Sequence, residues 1–473
     1  MSVGVAARRF GYPATILALV LVCSAAVAAR HEAGQPTPEP LLLVGGRILD
    51  TLAGRYLPAA GVLVVGDRIT DIFVRLPTNL PAGTRRIDLA GATLVPGLGD
   101  MFATAAPDGS ADADFYYAMA LAHGVTSYRV VGGRLPWAAS QRERVKAGEI
   151  VAPRLWIGGP RFDQQAPPSF STRRVADEAA ARREVAEQAS LGAEWVSVSA
   201  TTGPDVYRAV VGAARTGGLR VSGEPGATPT GELVRLGVDA IDRLGFWTRG
   251  REDYERELGS RPDYPRTVGD ELTDYLWQRA GAADLRPVIP KTARRRVVVI
   301  PMLASFNGTL GAEALMQDTA LPVLPGRWRE ALLARAHPGS WPGAARAATA
   351  AAIRARLARD LVTTGARLVT GVDVESSGYN IPGAGVHREL ALLVAAGVST
   401  VDAIRTATLN CAELLGSAGS LGQIKVGFKA DLIAVEGDPL ARVADLQRIK
   451  LIVRGGEVLE RDQLLAQARR AVR

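Results

Sequence analysis

The sequence predicts an α/β chain in which a (β/α)8 TIM-like barrel carries a composite β-sandwich formed from the N- and C-terminal segments. Two observations predict it. Short apolar runs closed by glycine and charged turn residues stand at both ends, as Leu41-Leu42-Leu43-Val44 and Gly61-Val62-Leu63-Val64-Val65 near the start and Leu432-Ile433-Ala434-Val435 and Leu451-Ile452-Val453 near the end. Between them, β-branched runs alternate with Ala/Arg-rich stretches of helical period, which is the pattern of βα units around a parallel sheet.

The elements follow in order. Arg8 and Arg9 precede an uncharged run from Ala14 to Ala29 that ends in Ala26-Val27-Ala28, so residues 1–29 read as a secretory signal and the protein as periplasmic or secreted. The run is shorter than the ~20 residues a spanning helix needs, so membrane attachment is expected only if this segment stays uncleaved. Residues 30–40, with three prolines, form a linker. Residues 41–95 and 418–462 make the sandwich, with Gly455-Gly456 as a hairpin turn. Residues 96–417 hold the barrel; its eight strands are read at Thr93–Leu98, Val125–Val130, Arg154–Ile157, Trp195–Val198, Arg220–Gly223, Ala240–Arg243, Arg296–Pro301 and Arg367–Val372. Helices are expected at Asp177–Leu191 and Ala345–Thr364, and Leu390, Leu393 and Val394 share one face of the last barrel helix. Gly397 stands where a helix C-terminal glycine belongs, and Ser399 caps the next helix with Asp402 as its partner. The stretch at about 249–295 is an insertion over the barrel mouth, and 463–473 is a C-terminal tail.

Composition narrows the chemistry. The 473 residues carry a net charge of +8, and Lys146, Lys291, Lys425, Lys429 and Lys450 are the only lysines. The arginines are dispersed and lack interleaved aromatics, so no nucleic-acid partner is expected. Four histidines and two cysteines are few ligands for so long a chain. Removal of the signal takes Cys23 and leaves Cys411 alone, which excludes an internal disulfide in the mature chain.

Several segments resemble the amidohydrolase superfamily, especially its imidazolonepropionase-like and prolidase-like branch. Val95-Pro96-Gly97-Leu98-Gly99-Asp100-Met101 is similar to the segment ending the family's first barrel strand, and Ala122-His123-Gly124-Val125-Thr126-Ser127 to the start of its second. Val369-Thr370-Gly371-Val372-Asp373 is similar to the segment at its eighth strand, and His387-Arg388-Glu389-Leu390 through Asn410 and Gly427 through Leu440 to its C-terminal signature. The resemblance implies metal-assisted hydrolysis of amide C–N bonds in non-peptide substrates or dipeptides. One or two divalent ions such as zinc would be held by two histidines after strand one, a carbamylated lysine on strand four, histidines on strands five and six, and an aspartate on strand eight.

Transferred to this chain, those positions fall on Phe102 and Thr104, Ser197, Glu224 and Arg243, and only Asp373 is retained. Neither the histidine inventory nor the lysine positions can rebuild the set, so no metal ligand is assigned and no cofactor is expected. Glu224 and Asp373 are the candidate catalytic residues, and Arg243, Ser197 and His387 the candidate binding residues. Two readings of Glu224, Arg243 and Asp373 stand: a new acid or anion-recognition site, or a guanidinium that fills the metal position and neutralises two carboxylates. Ser197 lacks a neighbouring histidine to activate it, and His387 either touches a ligand from the loop after strand eight or only begins a helix. The expected function is an exported family member with degenerate hydrolysis. The alternatives are a small-ligand-binding pseudoenzyme, or a metal-free acid/base hydrolase at the mouth. The partner is a small molecule in the barrel mouth, and the sequence is compatible with an oligomer.

Overall fold

The computed structural model describes residues 39–103, 112–169, 171–244, 288–306, 344–374 and 380–471, with short stretches between 256 and 333. The signal expected at 1–29 and nearly all of the 30–40 linker lie outside the described residues, as does most of the insertion at about 249–295. No helix among the described residues is long and apolar enough to cross a membrane.

The barrel strands are β1 (Leu98–Ala103), β2 (Val125–Val130), β3 (Arg154–Ile157), β4 (Trp195–Val198), β5 (Arg220–Gly223), β6 (Ala240–Asp242) and β7 (Val298–Ile300). Segment 367–370 is the eighth stave. β1, β2 and β3 pair in parallel, a Gly158–Trp195 bridge passes the ring to β4, and β4 to β7 pair in parallel in turn. A Val299–Leu368 bridge joins the eighth stave, and Met101 N donates to Thr370 O at 2.9 Å, which closes the ring. β1, β2 and β4 are buried on both faces, as parallel strands under a helical layer must be.

Two antiparallel-rich sheets stand at the other end. One joins Arg68–Phe73, Gly61–Val65, Leu41–Val44 and Arg85–Asp88. The second has the order Glu457–Leu459, Ile449–Arg454, Leu432–Val435, Thr93–Pro96, Arg47–Asp50 and Arg55–Leu57, so three strands from the C-terminal end join three from the N-terminal end at the Leu432–Val435/Thr93–Pro96 seam. Leu41, Leu43, Val62 and Ile69 of the first sheet pack on Leu94, Leu432, Ala434 and Val453 of the second.

The first barrel strand is shifted from its expected place. Thr93–Pro96 belongs to the sandwich, pairing with Leu432–Val435, and the barrel begins at Leu98. Pro96 cannot donate to the ladder, and Gly97, where a Cβ would strike the Thr126 side chain, lets the chain run close to β2, so it passes from one sheet to the other across these two residues. Helices meet their expected places closely: Glu178–Ser190 is capped by Asp177, and Ala344–Thr363 precedes the eighth stave. Ser399 Oγ accepts from Asp402 N at 3.1 Å and donates to Asp402 Oδ2 at 2.7 Å, and Gly397 takes φ +96°. The C-terminal segment is no tail but the helix Arg461–Ala471, with Leu464 and Ala468 buried and Arg461 Nε donating to Ala122 O at 2.9 Å.

One carboxylate ties the two parts together. Asp431, which opens the returning β-segment, accepts from Arg154 Nε at 2.6 Å and Nη2 at 3.0 Å, from Gly455 N at 2.7 Å, and presents its carbonyl to Gly97 N at 2.8 Å. Burial pushes its pKa up, and the guanidiniums of Arg454 and Arg154 outweigh this and hold it below the ordinary value. Removing it leaves two guanidiniums facing one another. We expect Asp431→Ala to lower the unfolding free energy in urea at pH 7 by about 3 kcal/mol; a loss under about 1 kcal/mol would show that the pair carries little of the joint.

Candidate functional site at the barrel mouth

The C-terminal ends of β3, β5, β6 and the eighth stave converge on one ion-pair array. Glu224 follows β5, and its carbonyl-side neighbourhood is fixed by its own N–H donating to Val198 O at 2.9 Å. Arg243 follows β6 and takes φ +64°, a left-handed conformation that costs a non-glycine residue about 1 kcal/mol or more. That turn carries its guanidinium inward: Nε lies 3.0 Å from Glu224 Oε1, and Nη2 pairs with Asp373 Oδ2. Arg161, on the short strand Arg161–Asp163 after β3, places Nη2 2.7 Å from the same Glu224 oxygen. The Asp373 side chain is 1 % exposed, against 21 % for each of the two arginines.

Beneath this array lies a second, fully buried one. Arg129 on β2 donates from Nε to Met101 O at 2.5 Å, from Nη1 to Ser222 Oγ at 2.7 Å and from Nη2 to Asp242 Oδ1 at 2.7 Å. Ser222 in turn donates to Asp242 Oδ2 at 2.6 Å, and Ser197 Oγ lies 3.0 Å from Ser222 Oγ. Phe102, at the end of β1, is the floor between the arrays. The guanidiniums of Arg243, Arg161 and Arg129 stand 5.6, 5.8 and 6.0 Å from its ring centroid, within cation–π range. Three arginines and the three carboxylates Glu224, Asp242 and Asp373 thus neutralise one another.

The electrostatics follow from this pairing. Burial raises the Glu224 pKa, but the positive charges of Arg161 and Arg243 outweigh it and hold the carboxyl below its ordinary value. Asp100 behaves oppositely. It accepts from Phe102 N at 3.1 Å and Val372 N at 2.9 Å, which stitches β1 to the eighth stave, yet full burial drives its pKa to about 7. Glu389, accepting from Leu303 N and Ala304 N, is likewise driven to about 7 by burial.

The structure therefore brings Glu224, Arg243 and Asp373 together and sets Ser197 below them in the buried network. His387 is placed elsewhere: it is buried on the helix Ala384–Ala395, its Nε2 donates to His123 O at 2.8 Å, and its ring stands 6.4 Å from the ring of His123. The reading of the sequence missed Arg161, Arg129 and Asp242. Arg129 had a signal, an arginine inside an apolar strand, while Arg161 lies on a three-residue strand that periodicity cannot show.

The fold family implies a metal at this mouth, and the residues present do not fit one. A divalent ion near Glu224 and Asp373 would lie close to the Arg243 guanidinium; at 4 Å and an effective dielectric of about 20 the repulsion is about 8 kcal/mol. Among the described residues no group of three or more His, Cys, Asp or Glu side chains is arranged to hold a metal ion. No step is derived through one. The expectation that the chain takes no cofactor is nonetheless corrected, because the family matched below is typically metal-dependent and the match gives that expectation no support.

Residues 330–459 match the amidohydrolase family. No curated protein matches the chain. Among solved structures, bottromycin amidohydrolase is similar at a TM-score of 0.70 and 21 % identity, over 94 % of this chain and 93 % of that one. A putative prolidase from Bifidobacterium longum is similar at 0.64 and 21 %, over 92 % and 100 %, and a Xaa-Pro dipeptidase with bound methionine in its active site at 0.65 and 19 %, over 89 % and 100 %. At these identities the likeness establishes the fold, a TIM-type barrel with a β-sandwich.

Two outcomes are expected. Arg243→Ala should lower the unfolding free energy by about 3 kcal/mol, because it strands buried carboxylates. Arg243→Gly should cost about 1 kcal/mol less, since glycine tolerates the positive φ; urea titration of both variants checks the order. For Asp100 the folded pKa, about 7, lies above the ordinary carboxyl value. Between about pH 4 and pH 7 the folded chain then holds a proton that the unfolded chain has released, so its contribution to stability falls as pH rises through that window and is flat above it. Asp100→Asn keeps an acceptor for both backbone donors and should reduce that fall; a variant with the wild-type pH profile would contradict the assignment.

Proposed function

We propose that this member of the amidohydrolase superfamily uses its barrel mouth to bind a small carboxylate-bearing or peptide-like ligand and has lost the family's hydrolysis of C–N bonds at that mouth. The observation that carries the reading is the Arg243 guanidinium seated on both Glu224 and Asp373. A carboxylate that would otherwise accept a proton or polarise water is here committed to a cation.

Recognition would run through the arginines. Arg161 has one described ion pair, to Glu224, and a guanidinium carries five N–H donors in a planar fork, so a partly exposed Arg161 keeps donors that suit a ligand carboxylate. Phe102 supplies an apolar, π-rich floor. Acid/base hydrolysis through Glu224 and Asp373 is less well supported: the pKa of Glu224 is lowered, which disfavours it as a proton donor and makes it a weak base. The two carboxyls driven to about 7, Asp100 and Glu389, are 1 % and 0 % exposed and do not open to a ligand. The reading includes export, on the strength of the basic start and small-residue end of residues 1–29; N-terminal sequencing of the mature protein checks it, with a start at Met1 as the contrary result.

The test is a panel of proline dipeptides and N-acyl amino acids offered to the purified protein with zinc or manganese supplied. The expected result is no turnover, with saturable binding of at least one panel member that Arg161→Gln weakens at least tenfold. Turnover that Asp373→Asn abolishes would overturn the reading.

A further inference from the structure

At the opposite end of the barrel, where the strands begin, a cavity of about 530 Å³ opens between the barrel and the sandwich. Its barrel wall is the start of β3 with Arg154 and Trp156 and the helix Leu135–Lys146 with Arg142 and Lys146. Its sandwich wall brings Lys429 and the hairpin residue Arg454. Five cationic side chains line it against Asp67, Glu194 and Glu457.

The pairing leaves Arg454 without a close partner. Asp431 gives both oxygens to Arg154 and a backbone N–H, so Arg454 reaches it only at 3.9 Å. Lys429 pairs with Asp67, Arg142 lies 3.3 Å from Glu194, and Glu143 takes both Lys146 and Arg142 at 3.0 Å. Arg454 Nε is buried with no hydrogen-bond partner among the described residues, and its cross-strand neighbour Glu457 makes no ion pair with it there. Burial, with the nearby Arg154 charge adding to it, lowers the Arg454 pKa to about 10 despite the attraction of Asp431, Glu457 and Asp67. A cavity-lining guanidinium whose described ion pair is as long as 3.9 Å is a place where an anion would be stabilised. Trp156 and the apolar Val145 and Leu459 add a surface for a flat, non-polar group.

We infer that this cavity is a second binding site, separate from the mouth, for a small organic anion whose charged group meets Arg454 and whose flat apolar part lies against Trp156. The site is independent of the reading given for the mouth, because none of its residues belongs to the Arg243 array.

The probe is phenyl phosphate, titrated calorimetrically into the full chain as purified. Saturable one-to-one binding is expected, at least tenfold tighter than that of inorganic phosphate, which has no ring to place on Trp156. Arg454→Gln should raise the dissociation constant at least tenfold. Val151 lines the same cavity and is 44 % exposed, so Val151→Glu introduces a negative charge without touching the core, and it should weaken binding at least tenfold in a chain that folds normally. Absence of saturable binding would overturn the inference, as would binding that Val151→Glu leaves unchanged.

Discussion

The character of the barrel mouth depends on one interaction, the Arg243 guanidinium held between Glu224 and Asp373. Two carboxylates brought from the ends of β5 and the eighth stave to one mouth and largely removed from water need compensating positive charge, and a barrel can supply it as a metal ion or as side chains. Here Arg243 and Arg161 supply it above Phe102, and Arg129 supplies it to Asp242 below. The positive φ at Arg243 shows that backbone strain is tolerated in order to aim that side chain inward. Phe102 belongs to the same solution, since an aromatic face at the end of β1 gives three guanidiniums a favourable neighbour where an imidazole would have directed lone pairs.

The same logic operates at the other end with a different result. Asp431 also sits among guanidiniums, but one carboxylate faces two arginines there, close to Arg154 and 3.9 Å from Arg454. At the mouth three arginines meet three carboxylates, and Arg161 keeps donors beyond its pair with Glu224. At the junction of barrel and sandwich the loosely paired Arg454 lines a cavity. Barrel folds ordinarily place their ligands at the C-terminal ends of the strands and use the other end for stability. Asp431 is placed to serve stability here, and the loosely paired Arg454 beside a cavity is what distinguishes this junction from a purely structural one.

Most of the fold was legible because it is written in periodicity: alternating apolar runs for the sandwich, β-branched runs for the barrel, and the Ser399–Asp402 cap and Gly397 for the last helices. The first barrel strand was displaced because the apolar character runs through Thr93 to Ala103 with only Pro96-Gly97 to divide it, and periodicity does not show that the two halves join different sheets. The terminal helix was missed because its buried face is two residues, Leu464 and Ala468, among charged neighbours. At the site, Glu224, Arg243 and Asp373 could be placed together because each follows a strand end in order. Arg161 could not, since the turn that lifts it to the mouth depends on a pairing with Thr172–Arg174 that is purely tertiary. His387 shows the converse: its position in the chain is near the mouth, but its hydrogen bond is to the helix that ends before β2.

The most direct measurement is a crystal structure of the purified protein grown with zinc, with anomalous scattering recorded at the zinc edge. The account predicts guanidinium density for Arg243 against both Glu224 and Asp373. Arg243 turned out of the mouth, with a zinc peak between the two carboxylates, would contradict it.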